Sequence, residues 1–221
     1  MWKEVDMTLD VPLFPFDETP DPDRKIGRVC VIACGALARE IIAIKGMNGL
    51  DHIDLTCLPA QLHNTPDKIP GEVRREIMAR KASYDDILVA YADCGTGGLL
   101  DRVLEETGAR RIDGAHCYAF FTGLDAFDQL EADQLGTFYL TDFLARHFQS
   151  MVIDPLGLDW HPHLRDLYFA HYTRVLYLAQ TDDPALETAA RAAAERLELP
   201  FEIRRTGYGI LADFLRAPVR P

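Results

Sequence analysis

No stretch of the 221-residue chain strings together the roughly 18 to 20 apolar residues that a helix needs to cross a bilayer. The opening MetTrpLysGluValAspMet is too acidic for a secretory signal, so a soluble, cytoplasmic protein with no membrane contact is expected. Basic side chains are scarce, 23 against 35 acidic ones, for a formal charge of −12. That balance repels a phosphate backbone unless Lys and Arg gather on one face, and no basic run occurs, so nucleic acid is not an expected partner. Cysteines are few and odd in number, five. Without an export signal they argue against a disulfide framework and leave buried thiols, metal ligands or a reactive thiolate.

Familiar signatures are missing too. No GlyLysSer or GlyLysThr and no GlyXxxGlyXxxXxxGly occurs, which removes the phosphate loop and the dinucleotide fingerprint. No GlyXxxSerXxxGly, HisGluXxxXxxHis or paired-carboxylate motif supports a serine hydrolase, a zinc protease or a glycosidase. There is no CysXxxXxxCys pair, so any metal site must be assembled from distant segments.

What is present is an α/β grammar, with 48% apolar residues, enough for a sizeable core. ValCysValIleAlaCys from Val29 is a short apolar run followed by Gly35 and a helically spaced segment, which reads as strand, tight turn and helix. The same order recurs at Asp86 to Cys94, leading into GlyThrGlyGly and a helix, and at Val175 to Gln180, leading through ThrAspAspPro into an alanine-rich helix. Further strands are expected at Ile53 to Leu58, Arg110 to Ile112, Thr137 to Leu140 and Phe201 to Arg204. Helices are expected near Gly71 to Ala82, Leu124 to Ala132, Thr141 to Phe148 and His163 to His171, with a long connection over Val152 to His163. Apolar strands alternating with helices predict a three-layer, mainly parallel sheet of repeated β-turn-α units, Rossmann-like in layout, in a single α/β domain over residues 28–221. Ahead of it, the prolines of Pro12 to Arg24 predict an extended arm over residues 1–27.

In an open parallel sheet, ligands bind at the carboxyl ends of the strands, where loops and helix amino termini converge. That rule selects Cys34 in AlaCysGlyAlaLeu, Cys94 in TyrAlaAspCysGlyThrGlyGly and Cys117 in GlyAlaHisCysTyr, with His116 beside it, and His63 in LeuProAlaGlnLeuHisAsn. Thiolate and imidazole form the usual shell for zinc, and three thiolates equally suit an iron–sulfur cluster. Cys34, Cys94 and Cys117 are therefore the candidate metal ligands, with His63, His116 and Asp93 as candidate catalytic groups, Asp93 serving as base or as a helix cap. A helix start should favour the Cys34 and Cys94 thiolates. Gly95, Thr96, Gly97 and Gly98 form a candidate anion cradle for an acidic substrate group. Cys30 and Cys57, inside strands, are expected to be inert core thiols.

These motifs, with HisProHisLeuArgAspLeuTyrPhe further on, occur in an order that resembles the uncharacterised prokaryotic family called domain of unknown function 1638. The resemblance covers nearly everything after residue 27, and its recurrent polar positions fall on Cys34, His63, Asp93, Cys94, His116 and Cys117. It also implies a setting beside corrinoid-dependent methyltransferases, hence one-carbon or methylated-amine metabolism, with a corrinoid reached through a partner protein. The expectation is a metal-dependent enzyme, holding zinc or an iron–sulfur cluster, that acts on a small polar metabolite by methyl transfer or by hydrolysis of a small nitrogen compound. The alternative is a non-catalytic accessory protein that holds a corrinoid, a metal or a methyltransferase partner. A homo-oligomer is compatible with either.

Overall fold

The run from Val29 folds as β1 (Val29–Cys34), buried along almost its whole length. It lies between β2 (Ile53–Leu58) and β3 (Asp86–Ala90), and β3 in turn pairs with the two-residue β4 (Arg110–Arg111), every pairing parallel. The computed structural model in which this is seen describes residues 27–217; the expected arm lies outside them except for Gly27. The connections carry α1 (Ala38–Asn48), α2 (Ile69–Arg80) and α3 (Leu99–Thr107). Ile41 and Ile44 of α1, Val73 and Ile77 of α2 and Leu100 and Val103 of α3 close over the strands as one apolar cluster. Each such side chain contributes about 1.5–3 kcal/mol through burial.

After β4 the chain makes α4 (Ala119–Thr122) and α5 (Leu124–Asp133) and starts a second parallel sheet. This sheet holds β5 (Thr137–Thr141), β6 (Arg174–Ala179) and β7 (Phe201–Arg205), in that order. Between β5 and β6 run α6 (Asp142–Arg146), a π-helical turn at Gln149–Ile153, α7 (Asp154–Leu156) and α8 (Leu164–Tyr168). Between β6 and β7 lies α9 (Pro184–Leu197). The period of two along β6 decides its packing: Val175, Tyr177 and Ala179 face the cluster with α6 and α9, whereas Leu176 and Leu178 face Ala119 and Phe127.

The protein is thus α/β with parallel sheets flanked by helices, as the pattern predicts, but the strands among the described residues divide into a sheet of four and a sheet of three. The connection at Val152 to His163 contains short helical turns, and the helix expected over His163 to His171 is only α8. Helix α10 (Gly209–Arg216), not expected from the pattern, returns from β7 to the first sheet and buries Leu211 and Leu215 in its cluster. Its start sits so close to α4 that a Cβ on Gly209 would stand 2.4 Å from the Phe120 carbonyl oxygen.

The first sheet has the order β2-β1-β3-β4. The chain leaves β1 toward β2 on one side and crosses back to β3 on the other, so the connections diverge between the carboxyl ends of β1 and β3. A crevice opens at such a point for topological reasons, and Cys34 and the segment leading to Cys94 lie at it.

Candidate functional site: a thiol and imidazole cluster

Strand β3 stops at Ala90, earlier than expected, but the chain beyond it stays beside the segment that follows β4. Asp93 N–H donates to the Gly114 carbonyl and Cys94 N–H to the Ala115 carbonyl, each at 2.9 Å. This pairing brings Cys94 beside Cys117. The backbone then turns sharply: Cys94 has φ 49° and Gly95 φ 84°. A left-handed conformation is rare for a residue with a Cβ and is held only where the surroundings enforce it, commonly at functional sites.

Cys94 is buried, with 7% of its surface exposed. A hydrogen bond with Cys117 favours its thiolate; burial opposes this, and a hydrogen bond with His63 together with the charge of that imidazole favours it further, so its pKa lies well below the ordinary thiol value. Cys117 shifts the other way, kept protonated by its bond to Cys94 and by burial. The pair therefore shares one proton, held on Cys117. His63 comes from a 3-10 turn at Ala60–Asn64 just after β2. Its ring meets Cys94 on one side and solvent on the other, and that hydrogen bond raises its pKa.

Cys34 completes the cluster at one remove. It ends β1 and feels Cys94 and Cys117 through charge, while burial first of all pushes its own pKa up to about 11. The β1–β3 register, Ala33 opposite Ala90, sets the next residue, Tyr91, beside it. The Tyr91 hydroxyl is fully buried and lies against the Cys34 thiol; burial first, and then the nearby Cys34, raise its pKa. Among the described residues no group of three or more His, Cys, Asp or Glu side chains is already arranged to hold a metal ion.

Other expected site residues are placed elsewhere. His116 is exposed, and its ring packs against Tyr118 and Phe127 at 6.3 and 6.2 Å; successive residues of this turn point apart, so Cys117 goes inward and His116 does not. The glycine cradle is already filled from within. The Asp93 carboxylate accepts from Thr96 Oγ1 at 2.6 Å, from Gly98 N at 2.9 Å and from Gly97 N at 3.1 Å. An incoming anion would have to displace that carboxylate, so Gly95 to Gly98 make a closed turn and Asp93 its cap. Burial works to raise the Asp93 pKa, but these bonds from Thr96, Gly98 and Gly97 prevail and lower it, which makes it a weak base. Because α3 begins only at Leu99, Cys94 owes its thiolate to Cys117 and His63 and not to the helix start. Cys30 is fully buried, as expected of a core thiol, but Cys57 is exposed on the edge strand β2. His161 and His163 are exposed and pack on each other, rings 5.9 Å apart.

Sequence reasoning passed over a second polar group. Asp142, immediately after β5, is 2% exposed. It accepts from Tyr177 Oη at 2.6 Å, Gln180 N at 3.0 Å and Thr181 Oγ1 at 2.5 Å. Glu40 on α1 is 5% exposed, and its Oε2 has no partner. The signal for Glu40 was present: it falls on the stripe of Leu37, Ile41 and Ile44, where an acid has no business unless it is used.

No helix among the described residues is long and apolar enough to cross a membrane. No curated protein and no solved structure matches the chain. A family model does, over residues 57–215, a span that takes in His63, the Cys94 turn and Cys117 but not Cys34. The chain belongs to the family described as Protein of unknown function (DUF1638).

Proposed function

We propose that the protein is a zinc-dependent enzyme acting on a small polar metabolite, with Cys34, Cys94 and Cys117 as ligands and His63 beside them. The observation that carries this reading is the meeting of Cys94, Cys117 and His63 at the divergence point of the first sheet, with the Cys34 thiol next to them. Three thiolates leave the fourth position of a tetrahedral zinc open for substrate or water, as a catalytic site requires. The buried Tyr91 hydroxyl beside Cys34 gives a bound group or its water something to meet.

In this reading Cys94 is the pre-formed thiolate, and Cys117 gives up its proton on binding. His63, open to solvent, is placed to pass protons to and from the site, and Tyr91 orients what binds beside Cys34. Zinc would supply Lewis acidity, which serves methyl transfer to a bound thiol, as corrinoid-linked one-carbon chemistry requires, and equally hydrolysis of a small nitrogen compound.

Elemental analysis of protein purified without oxygen, read with a visible spectrum, is the test. One zinc per chain and no visible absorption is the expected result, with the zinc lost in Cys34→Ser, Cys94→Ser and Cys117→Ser. Iron with sulfide would replace zinc by a cluster. Metal-free protein of native fold would refute ligation and leave a second reading, a cysteine nucleophile, which the strained strand-to-helix turn at Cys94 favours. Iodoacetamide would then label Cys94 ahead of the other thiols, and more slowly after His63→Ala.

A further inference from the structure

A cavity of about 590 Å³ lies between the two sheets' helices, lined by Arg39 and Glu40 of α1, Asp142 and Arg146 of α6, Thr181 after β6 and Tyr208 before α10. It is built of different residues from the thiol cluster. Its volume falls in the range of small-molecule sites, which run from about 300 to 1,000 Å³. It sits beyond the carboxyl ends of the neighbouring strands β5 and β6, which deliver Asp142 and Thr181, and α1 and Tyr208 close it from the side of the first sheet.

The chemistry of the lining can be worked out group by group. The Asp142 oxygens are taken, accepting from Tyr177, Gln180 and Thr181, so this carboxylate keeps its charge but has its acceptors filled from within. Two further acids at the rim are used as well: Asp182 pairs with Arg205 at 2.9 Å, and Asp183 caps α9 through Ala185 N at 2.9 Å. What remains open are donors. Among the described residues neither Arg39 nor Arg146 makes an ion pair; Arg146 makes only a long contact of 3.4 Å to the Asp142 carbonyl, and the Tyr208 hydroxyl has no hydrogen bond. Glu40 Oε2 is buried and unpartnered, and burial raises the pKa of its carboxyl. Arg39 and Arg146, with the Tyr208 phenol, leave three sets of donors at the cavity without an acceptor. Guanidinium groups match the two oxygens of a carboxylate or phosphate.

We infer that this cavity is a binding site for a small metabolite bearing an oxyanion, held by Arg39 and Arg146 with Tyr208 as a further donor. Carboxylate and phosphate share this chemistry. Because the lining comes from both halves of the chain, the ligand bridges α1 and α6 and holds the two sheets' helices together. The site stands whether or not the thiols bind zinc.

Isothermal titration calorimetry on the full chain with succinate and, separately, with inorganic phosphate, against chloride at equal ionic strength, tests it. Saturable binding of either probe is expected, and whichever binds more tightly identifies the oxyanion. Arg39→Gln and Arg146→Gln should each weaken binding about tenfold or more. Arg39→Lys, which keeps the charge but not the fork, should weaken it less, and Tyr208→Phe more modestly still. Circular dichroism checks the fold, and Arg39→Lys and Tyr208→Phe keep the question answerable should a Gln variant fail to fold. Absence of saturable binding for both probes, or equal affinity in wild type and in every folded arginine variant, would overturn the inference.

Discussion

At Cys94, backbone and side chain pull against each other. The residue holds φ 49°, a conformation that costs an L residue about 1–2 kcal/mol and costs glycine nothing. The side chain earns its place there only through what its sulfur does. Cys94→Ala and Cys94→Gly both remove the sulfur, but only glycine relieves the backbone, so Cys94→Gly should be the more stable by about 1 kcal/mol. Denaturant titration of the two variants side by side measures this; equal midpoints would mean that the turn relaxes without strain. Glu40 carries a different tension. Burial first, and the nearby Asp142 charge, raise its pKa when folded. Stability from the neutral acid is therefore complete below the unfolded value, about 4.3, and is lost as pH rises through the folded value. Glu40→Gln cannot ionise, so the variant should gain on the wild type between about pH 4.3 and neutrality. Parallel stability curves across that interval would contradict this. Of these two tensions the sequence displays only the second, as an acid on an apolar helical stripe; a positive φ at a cysteine leaves no mark in the order of residues.

Among the elements, α10 ties the halves together, and it depends on close approach. Gly209, with φ 48°, brings the helix start against the carbonyl oxygens of Phe120 and Phe121, which a Cβ would meet at 2.4 and 2.5 Å. Gly207, two residues earlier, has φ 60° but open space around it. Gly209→Ala should therefore cost about 1–3 kcal/mol beyond the backbone strain common to both positions, while Gly207→Ala should show that strain alone. Thermal unfolding of the pair separates contact from conformation. The strands were legible because each apolar run is local: β1 and β2 have the bounds that their composition predicts. Helix α10 was not, since its buried face, Leu211 and Leu215, gains meaning only from the distant α1 and α4 it covers. The glycine turn after Cys94 was misread for a related reason. Its glycines suggested free N–H groups, but the acceptor that consumes them, Asp93, is a neighbour whose role depends on the way the chain bends.

For the molecule as a whole, the alternation of apolar strands with helices determined an α/β architecture with parallel strands. The strand-end rule nominated Cys34, Cys94, Cys117 and His63 from sequence, because chain direction in a parallel sheet puts all such ends on one edge. Periodicity could not say which strands are neighbours. It therefore missed the division into sheets of four and three, and with it the cavity between α1 and α6. Nor could it say which of two adjacent residues, His116 or Cys117, turns toward Cys94. The residue order fixed what is local, namely which segments pair their own backbone groups and which face of each is apolar. Contacts between segments far apart in the chain were left to tertiary packing: the shared proton of Cys94 and Cys117, the buried oxygens of Tyr91 and Glu40, and the two arginines that make no ion pair among the described residues. Each of these arises only when separate side chains must divide one small volume and its few hydrogen-bond partners.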